Sequence, residues 1–154
     1  MSMAFLDSLN ISGSGLTAQK LRMQVVAQNL ANAQTTRTEN GGPYRRKLVV
    51  LSERNDPGAF STALNASIGG ASLGGGESMR GVEATAIVDD ADDFKMEYDP
   101  AHPDADANGY VRLPNVNTVE EMVDIMSASR LYEANVTAFN AMKEMAAKAL
   151  EIGK

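Results

Sequence analysis

The chain contains no cysteine and no tryptophan, and only four phenylalanines, four tyrosines and one histidine in 154 residues. Without cysteine, disulfides and thiolate metal sites are excluded, and the redox compartment stays open. The single histidine, His102, lies between Pro100 and Pro103 and has no partner at zinc-ligand or triad spacing. No apolar run approaches the length of a membrane span; the longest beside a strand pattern is Leu48–Leu51. No secretory signature marks the first twenty residues, where Asp7 is the first charge and Lys20 the first positive one. A chain of this kind that leaves the cytoplasm is expected to do so without a cleaved signal. No serine has a nucleophile-elbow context, and the glycines of 69–76 are not followed by the Lys-Ser/Thr of a phosphate loop. An enzyme reading therefore has no residues to stand on, and no cofactor is expected.

Nine methionines, together with abundant Ala, Asn and Gly, replace the large rigid side chains of a compact enzyme core. Methionine packs adaptably, which suits surfaces that meet several partners. The net charge of −6 is uneven: residues 81–108 sum to −8 and residues 37–80 to +2. No basic stripe follows a helix, so nucleic-acid binding is not expected. The short cluster Arg45-Arg46-Lys47 flanks an apolar run and reads as a solvated strand edge rather than a phosphate site.

Both ends read as helix. Over 4–33, Leu9, Leu16, Met23 and Leu30 recur every seven residues, flanked by Phe5, Val26 and Ala33. Ser12-Gly13-Ser14-Gly15 weakens this segment, since each glycine costs about 1 kcal/mol relative to alanine. The second helix is expected to open on a capping box, Thr118-Val119-Glu120-Glu121, and to stop near Gly153. Ile125, Tyr132, Phe139 and Ala146 form one heptad row. Ala128, Met142 and Ala149 form a second, with Met122 and Val136 beside them, and Leu131, Ala138, Met145 and Ile152 form a further row. That arc is too wide for one partner helix and implies at least two contacts. The expected packing seam is Ile125, Tyr132, Phe139 and Met142 against Leu16, Met23 and Leu30.

Between the helices, residues 34–43 read as a turn-rich loop, Tyr44–Ser52 as a strand, and 53–80 as irregular. That irregular stretch has a turn at Asn55–Gly58 and a flexible glycine-rich run at Gly69–Gly76. Residues 82–88 alternate, placing Val82, Ala84, Ala86 and Val88 on one face. Phe94, Met96 and Tyr98 alternate again, and Tyr110–Leu113 is expected to complete a small sheet. The fold class is therefore α+β. Long terminal helices pair as a coiled-coil-like domain (1–36 and 115–154) around a small β-rich insertion (37–114).

The one motif suggesting metal chemistry is Asp104-Ala105-Asp106-Ala107-Asn108-Gly109, which copies the first half of an EF-hand loop. Asn115 stands where the bidentate glutamate belongs, so the plainer reading is a turn with solvated acids. A calcium-regulated binding module built on Asp104, Asp106 and Asn108 is the alternative function. The acidic run Asp89, Asp90, Asp92 and Asp93 reads as a solvated loop.

Two segments carry a resemblance. Asn29-Leu30-Ala31-Asn32-Ala33-Gln34-Thr35-Thr36 is similar to the N-terminal signature of the bacterial flagellar axial proteins. Its Asn29 and Asn32 can hydrogen-bond backbone where a helix gives way to a loop. Gly109–Asn117, followed by Glu121-Met122-Val123 and Met126–Asn135, resembles the C-terminal signature of the same family. The stretches Pro43–Lys47 and Tyr98–Pro100 with Pro103–Ala107, and the short total length, look like its proximal-rod members. The resemblance implies a non-enzymatic subunit of the basal-body rod, the drive shaft crossing the periplasm. It also implies export through the flagellar type III apparatus. The implied partners are further copies of the chain, the rod subunits FlgB, FlgF and FlgG, and the adaptor FliE, with no nucleic acid and no direct membrane insertion. The helical residues expected to carry assembly are Leu9, Leu16, Met23, Asn29, Leu30, Asn32, Met122, Ile125, Met126, Arg130, Tyr132, Asn135, Phe139 and Met142. Among these, Arg130 and Asn135, together with Glu133, are expected to set register between subunits.

Overall fold

The computed structural model describes residues 2–39, 41–54 and 80–152. Two long helices, α1 (Ser2–Ala31) and α2 (Thr118–Ile152), flank four short strands: β1 (Lys47–Glu53), β2 (Val82–Asp89), β3 (Lys95–Tyr98) and β4 (Tyr110–Leu113). This is the α+β arrangement expected from the sequence. The turn at Asn55–Gly58 and the glycine-rich run at Gly69–Gly76 lie outside the described residues.

Helix α1 runs unbroken through Ser12–Gly15, and its low-propensity residues sit where segments meet. The Ser14 hydroxyl donates to the Ile11 carbonyl at 2.7 Å and accepts from the Val82 N–H at 3.0 Å. Gly15 lets α2 come close, since a Cβ there would stand 3.1 Å from Asn135 Nδ2. Gly81 does the same for the insertion: a Cβ at that position would overlap Ser14 Oγ. The cost in helix propensity is offset by close approach on two sides.

At its C-terminal end, α1 closes on asparagine. Asn32 Nδ2 donates to the Gln28 carbonyl at 2.9 Å, and Thr35 Oγ1 donates to Asn32 Oδ1 at 3.2 Å. Helix α2 opens one residue earlier than the expected capping box. Asn117 is the cap, its Oδ1 accepting from the Val119 N–H at 3.2 Å. The Glu121 carboxylate does not reach back to cap the helix, because it is committed elsewhere.

The four strands do not form one sheet. β1 pairs with β2 and β3 with β4, in two separate antiparallel pairs. The β1–β2 register shifts between Val50 and Leu51, so that Val50 opposes Ala86 and Leu51 opposes Ala84. Thr85 is the extra residue of a bulge. Because Val50 and Leu51 point to opposite faces, Ala84 and Ala86 do too. The single face expected for Val82, Ala84, Ala86 and Val88 is split: Val82 and Ala84 turn to a cleft shared with Ser14, Thr17 and Leu21 of α1.

Among the described residues the apolar core is small: Ala18, Val25, Val26, Tyr44, Val111, Val116 and Ala128. The largest fully buried side chains are Glu121, Asn29 and Pro114, so two of the three are polar. The most extensive contact in the molecule is between α1 and α2.

Candidate assembly interface

The two polar residues in the core bond to each other. Asn29, in the last turn of α1, donates from Nδ2 to Glu121 Oε2 at 3.0 Å and to the Lys47 carbonyl at 2.9 Å. Its Oδ1 accepts from the Tyr44 hydroxyl and from the Lys47 N–H, both at 2.9 Å. Every hydrogen-bonding position of the amide is filled. By taking both the N–H and the C=O of Lys47, it stands in for a neighbouring strand at the start of β1.

The other Glu121 oxygen, Oε1, accepts from Arg46 Nε at 2.6 Å. Arg46 extends the network to Asp90 at 3.3 Å, and its backbone N–H donates to Asn115 Oδ1 at 2.8 Å. A weaker branch joins Arg46 to Asp124 at 3.8 Å and Asp124 to Arg22 at 3.3 Å. One buried carboxylate thus ties α1, α2 and the segment leading into β1 together, and its charge is compensated by a guanidinium that is itself mostly covered.

Titration follows this geometry. Burial pulls Arg46 down, but the hydrogen bonds and charges of Glu121 and Asp90 outweigh it and hold the guanidinium above its ordinary value. Burial, then the charges of Asp89 and Glu121, raise the Tyr44 phenol. Asp90 is held below the usual carboxylate range, first by the Asp92 N–H and, against the cost of burial, by Arg46 and Arg45.

Arg45-Arg46-Lys47 is therefore not the solvated strand edge expected. Arg46 is in the junction, and Arg45 donates to the Asp90 carbonyl at 2.7 Å with its guanidinium 4.5 Å from the Phe94 ring centre. The acidic run is likewise engaged through Asp90 rather than simply solvated. The sequence patterns give Glu121, Arg46 and Tyr44 other roles, as a capping residue, a solvated cation and a strand start, and none of them joins the three. The available signal is Asn29 itself, three and four residues after Val26 and Val25 and so on their buried face of the helix.

The helices pair antiparallel. Asn29 meets Glu121, Gly15 approaches Asn135, and Phe139 shares a cleft with Leu9, Asn10 and Gly13. On α2 the row Ile125, Tyr132, Phe139 and Ala146 is half-buried, with Ala128 fully covered. Away from α1 the same helix carries apolar side chains left uncovered among the described residues. Val119, Met122, Val123, Met126, Leu131 and Met145 are all exposed, from 45% at Leu131 to 67% at Val119.

The Asp104–Gly109 segment is a turn. Asp106 Oδ1 accepts from the Asn108 and Tyr110 N–H groups at 2.8 and 3.0 Å, and Asp104 Oδ2 accepts from Thr36 at 2.7 Å. The Tyr110 and Asn108 bonds lower the Asp106 pKa. Gly109 supplies the positive φ, at 80°. Among the described residues, no three His, Cys, Asp or Glu side chains converge to hold a metal ion.

With this geometry in hand, the relatives are informative. Residues 9–37 match the family model for flagella basal body rod protein. Residues 107–152 match the model for the C-terminal region of the flagellar basal body rod FlgEFG proteins. The chain is 51% identical to the flagellar basal-body rod protein FlgC of Bacillus subtilis, over 99% of this chain and 100% of that one. It is 46% identical to FlgC of Borreliella burgdorferi (97% and 98%) and 41% identical to FlgC of Escherichia coli O6:H1 (99% and 100%). The chain belongs to the FlgC family of flagellar basal-body rod proteins.

As a FlgC-family member it is a structural subunit of the basal-body rod and not an enzyme, and it assembles with other basal-body components. Nothing among the relatives supports calcium regulation. The two matched segments cover most of α1, β4 and all of α2; Asn29 lies in the first segment and Glu121 in the second.

The structure divides the expected assembly residues into two groups. Leu9, Leu16, Met23, Leu30, Asn32, Ile125, Tyr132, Asn135, Phe139 and Met142 are half-buried, and Asn29 is buried. Met122, Met126 and Arg130 are exposed. On α1, the deepest positions are Ala18, Val25, Val26 and Asn29; Ala18 and Val25 stand two residues, about 200° of helical turn, from Leu16 and Met23, so the α1 side of the expected seam is rotated away from the heptad row.

Proposed function

We propose that this chain polymerises into the rod through its terminal helices, with the two faces of α2 doing different jobs. The inner row, Ile125, Tyr132 and Phe139 with Asn135 and Met142, faces α1 and builds the subunit. The outer row, Met122, Val123 and Met126 with Arg130, faces neighbouring subunits. The observation that carries this reading is the set of exposed apolar side chains Val119, Met122, Val123 and Met126 on α2, in a chain whose family builds a rod. Domain limits follow the same logic: residues 1–36 and 115–154 form the helical assembly unit, and 37–114 the insertion.

In this reading the rod is the periplasmic drive shaft, and torque passes through many small side-chain contacts rather than one strong one. The neighbours are further copies, FlgB, FlgF, FlgG and the adaptor FliE. The chain reaches them through the flagellar type III export apparatus without a cleaved signal. The absence of a helix long and apolar enough to cross a membrane, among the described residues, is compatible with that route.

The test is a single charge on the outer row. Met126→Glu should leave the thermal midpoint of the purified chain within a few degrees of the parent, because Met126 is exposed. The variant should be lost from purified basal bodies. Wild-type incorporation of that variant would refute the outer row as an interface.

A further inference from the structure

Apolar spacing alone leaves the alignment of α1 against α2 open. On α1 the covered positions Ala18 and Val25 are seven residues apart, and on α2 the half-buried Ile125, Tyr132 and Phe139 keep the same interval. Moving one helix along the other by seven residues, about 10.5 Å, returns each row to its own line. Apolar side chains would again meet apolar ones, so these rows do not choose between alignments.

One row does choose. Asn29 meets Glu121. Two heptads back along α1 stands Gly15, two heptads on along α2 stands Asn135, and these two meet as well. At the head of this row is a polar socket on the α1–β1 side. Asn29 Nδ2 and Arg46 Nε converge on Glu121, which gives each its own oxygen, at 3.0 and 2.6 Å. The socket is built without α2, since Asn29 is held by Tyr44 and by both backbone groups of Lys47.

Glu121 is the only carboxylate in its row, which continues through Ala128, Asn135 and Met142. A one-heptad shift that draws Ala128 into the socket takes away the acceptor that the Asn29 amide and Arg46 Nε share. Donors stranded in a buried site are costly, and the unchanged apolar rows offer nothing to offset them. The opposite shift sets Glu121 beside Arg22 and brings Pro114, which precedes the helix, to the socket.

We infer that Glu121 is a register key: seated between Asn29 and Arg46, it selects one alignment of two repetitive helices. Asn29 and Arg46 are positioning residues that act through it. A shifted subunit would carry Met122 and Met126 about 10.5 Å along α1, so the key also decides where the outer row of α2 stands. That consequence rests on the assembly reading above; the alignment itself does not.

Removing one partner is costly whether the junction stabilises or selects. Replacing both charged partners separates the two roles, because a buried ion pair exchanged for packed apolar side chains is often neutral. The purified full chain, which has no cysteine, receives reporter pairs. Gly15→Cys with Asn135→Cys reads the observed alignment. Gly15→Cys with Ala128→Cys, or with Met142→Cys, reads the two one-heptad shifts. Each pair is oxidised in the parent junction and in Glu121→Leu/Arg46→Leu, and the fraction bridged within a chain is measured. The parent should bridge only the first pair. In the leucine variant unfolding should stay cooperative, and bridging of a shifted pair should rise about tenfold or more, the scale of one lost hydrogen bond to a charged group. Bridging confined to the first pair in both backgrounds overturns the key, and would leave the alignment to the insertion or to Gly15. A leucine variant that no longer unfolds cooperatively also overturns it, because the junction would then hold the fold together rather than choose an alignment. Neither result touches the outer row, which Met126→Glu tests by itself.

Discussion

Asn29 Nδ2 donates to Glu121 Oε2 at 3.0 Å, so the last turn of one terminal helix and the first turn of the other share a buried hydrogen bond. Residues 92 positions apart meet where apolar side chains would normally sit. Glu121 also carries Arg46, and Asn29 also carries Lys47 and Tyr44. The junction fixes where α2 starts relative to α1, and with it which face of α2 is left outward.

Removing one partner should be costly. Glu121→Ala leaves Arg46 facing a cavity and Asn29 short of an acceptor, and is expected to destabilise the chain by about 3–5 kcal/mol. Asn29→Ala strips partners from the Tyr44 hydroxyl and both backbone groups of Lys47, and each group left unsatisfied costs about 1–3 kcal/mol. Urea unfolding followed by circular dichroism measures both. A loss below 1 kcal/mol in both variants would show that the junction is not a stabilising centre.

The fit between Gly81 and Ser14 gives a second expectation. Gly81→Ala places a methyl against Ser14 Oγ, which is held on both sides by Ile11 and Val82. Overpacking of this kind costs about 1–3 kcal/mol. Ser14→Gly in the same chain should recover part of that loss, measured as a shift of the unfolding midpoint. Equal destabilisation with and without the second change would place the strain elsewhere.

The titrating groups of the junction act at opposite ends of the pH scale. Asp90 is lowered from its ordinary 3.8. Its contribution is complete above that value and is lost as pH falls through the folded pKa. Asp90→Asn should flatten the acid limb of the stability curve. Tyr44 is raised from 10.0. Its contribution is complete below pH 10.0 and is lost as pH rises through the higher folded value. Tyr44→Phe should remove the most delayed component of tyrosinate absorbance in an alkaline titration of the folded chain. An alkaline curve unchanged by that substitution would contradict the burial of the phenol.

Much of this fold is legible in the chain because periodicity is a local property. The α2 heptad rows, the Tyr110–Leu113 strand and the width of the apolar arc all follow from side-chain spacing. The α1 helix reads correctly through Ser12–Gly15; the reason for its low-propensity residues is legible only once Val82 and Asn135 are seen against it. The strand face at 82–88 misleads because a bulge at Thr85 has no spacing signature. The junction is harder still: Glu121 reads as a capping residue, Arg46 as a surface cation and Tyr44 as a strand start. Only three-dimensional proximity, set by the antiparallel pairing of the helices, makes them one network.

The central claim is that α2 has an inner face that builds the subunit and an outer face that builds the rod. A photoreactive phenylalanine analogue placed at Phe139 or at Met126, in separate strains, tests it in isolated basal bodies. The Phe139 probe should cross-link within the chain, to residues 9–17 of α1, and the Met126 probe should yield products between subunits. Intrachain products from both positions, or intersubunit products from Phe139 alone, would contradict the account.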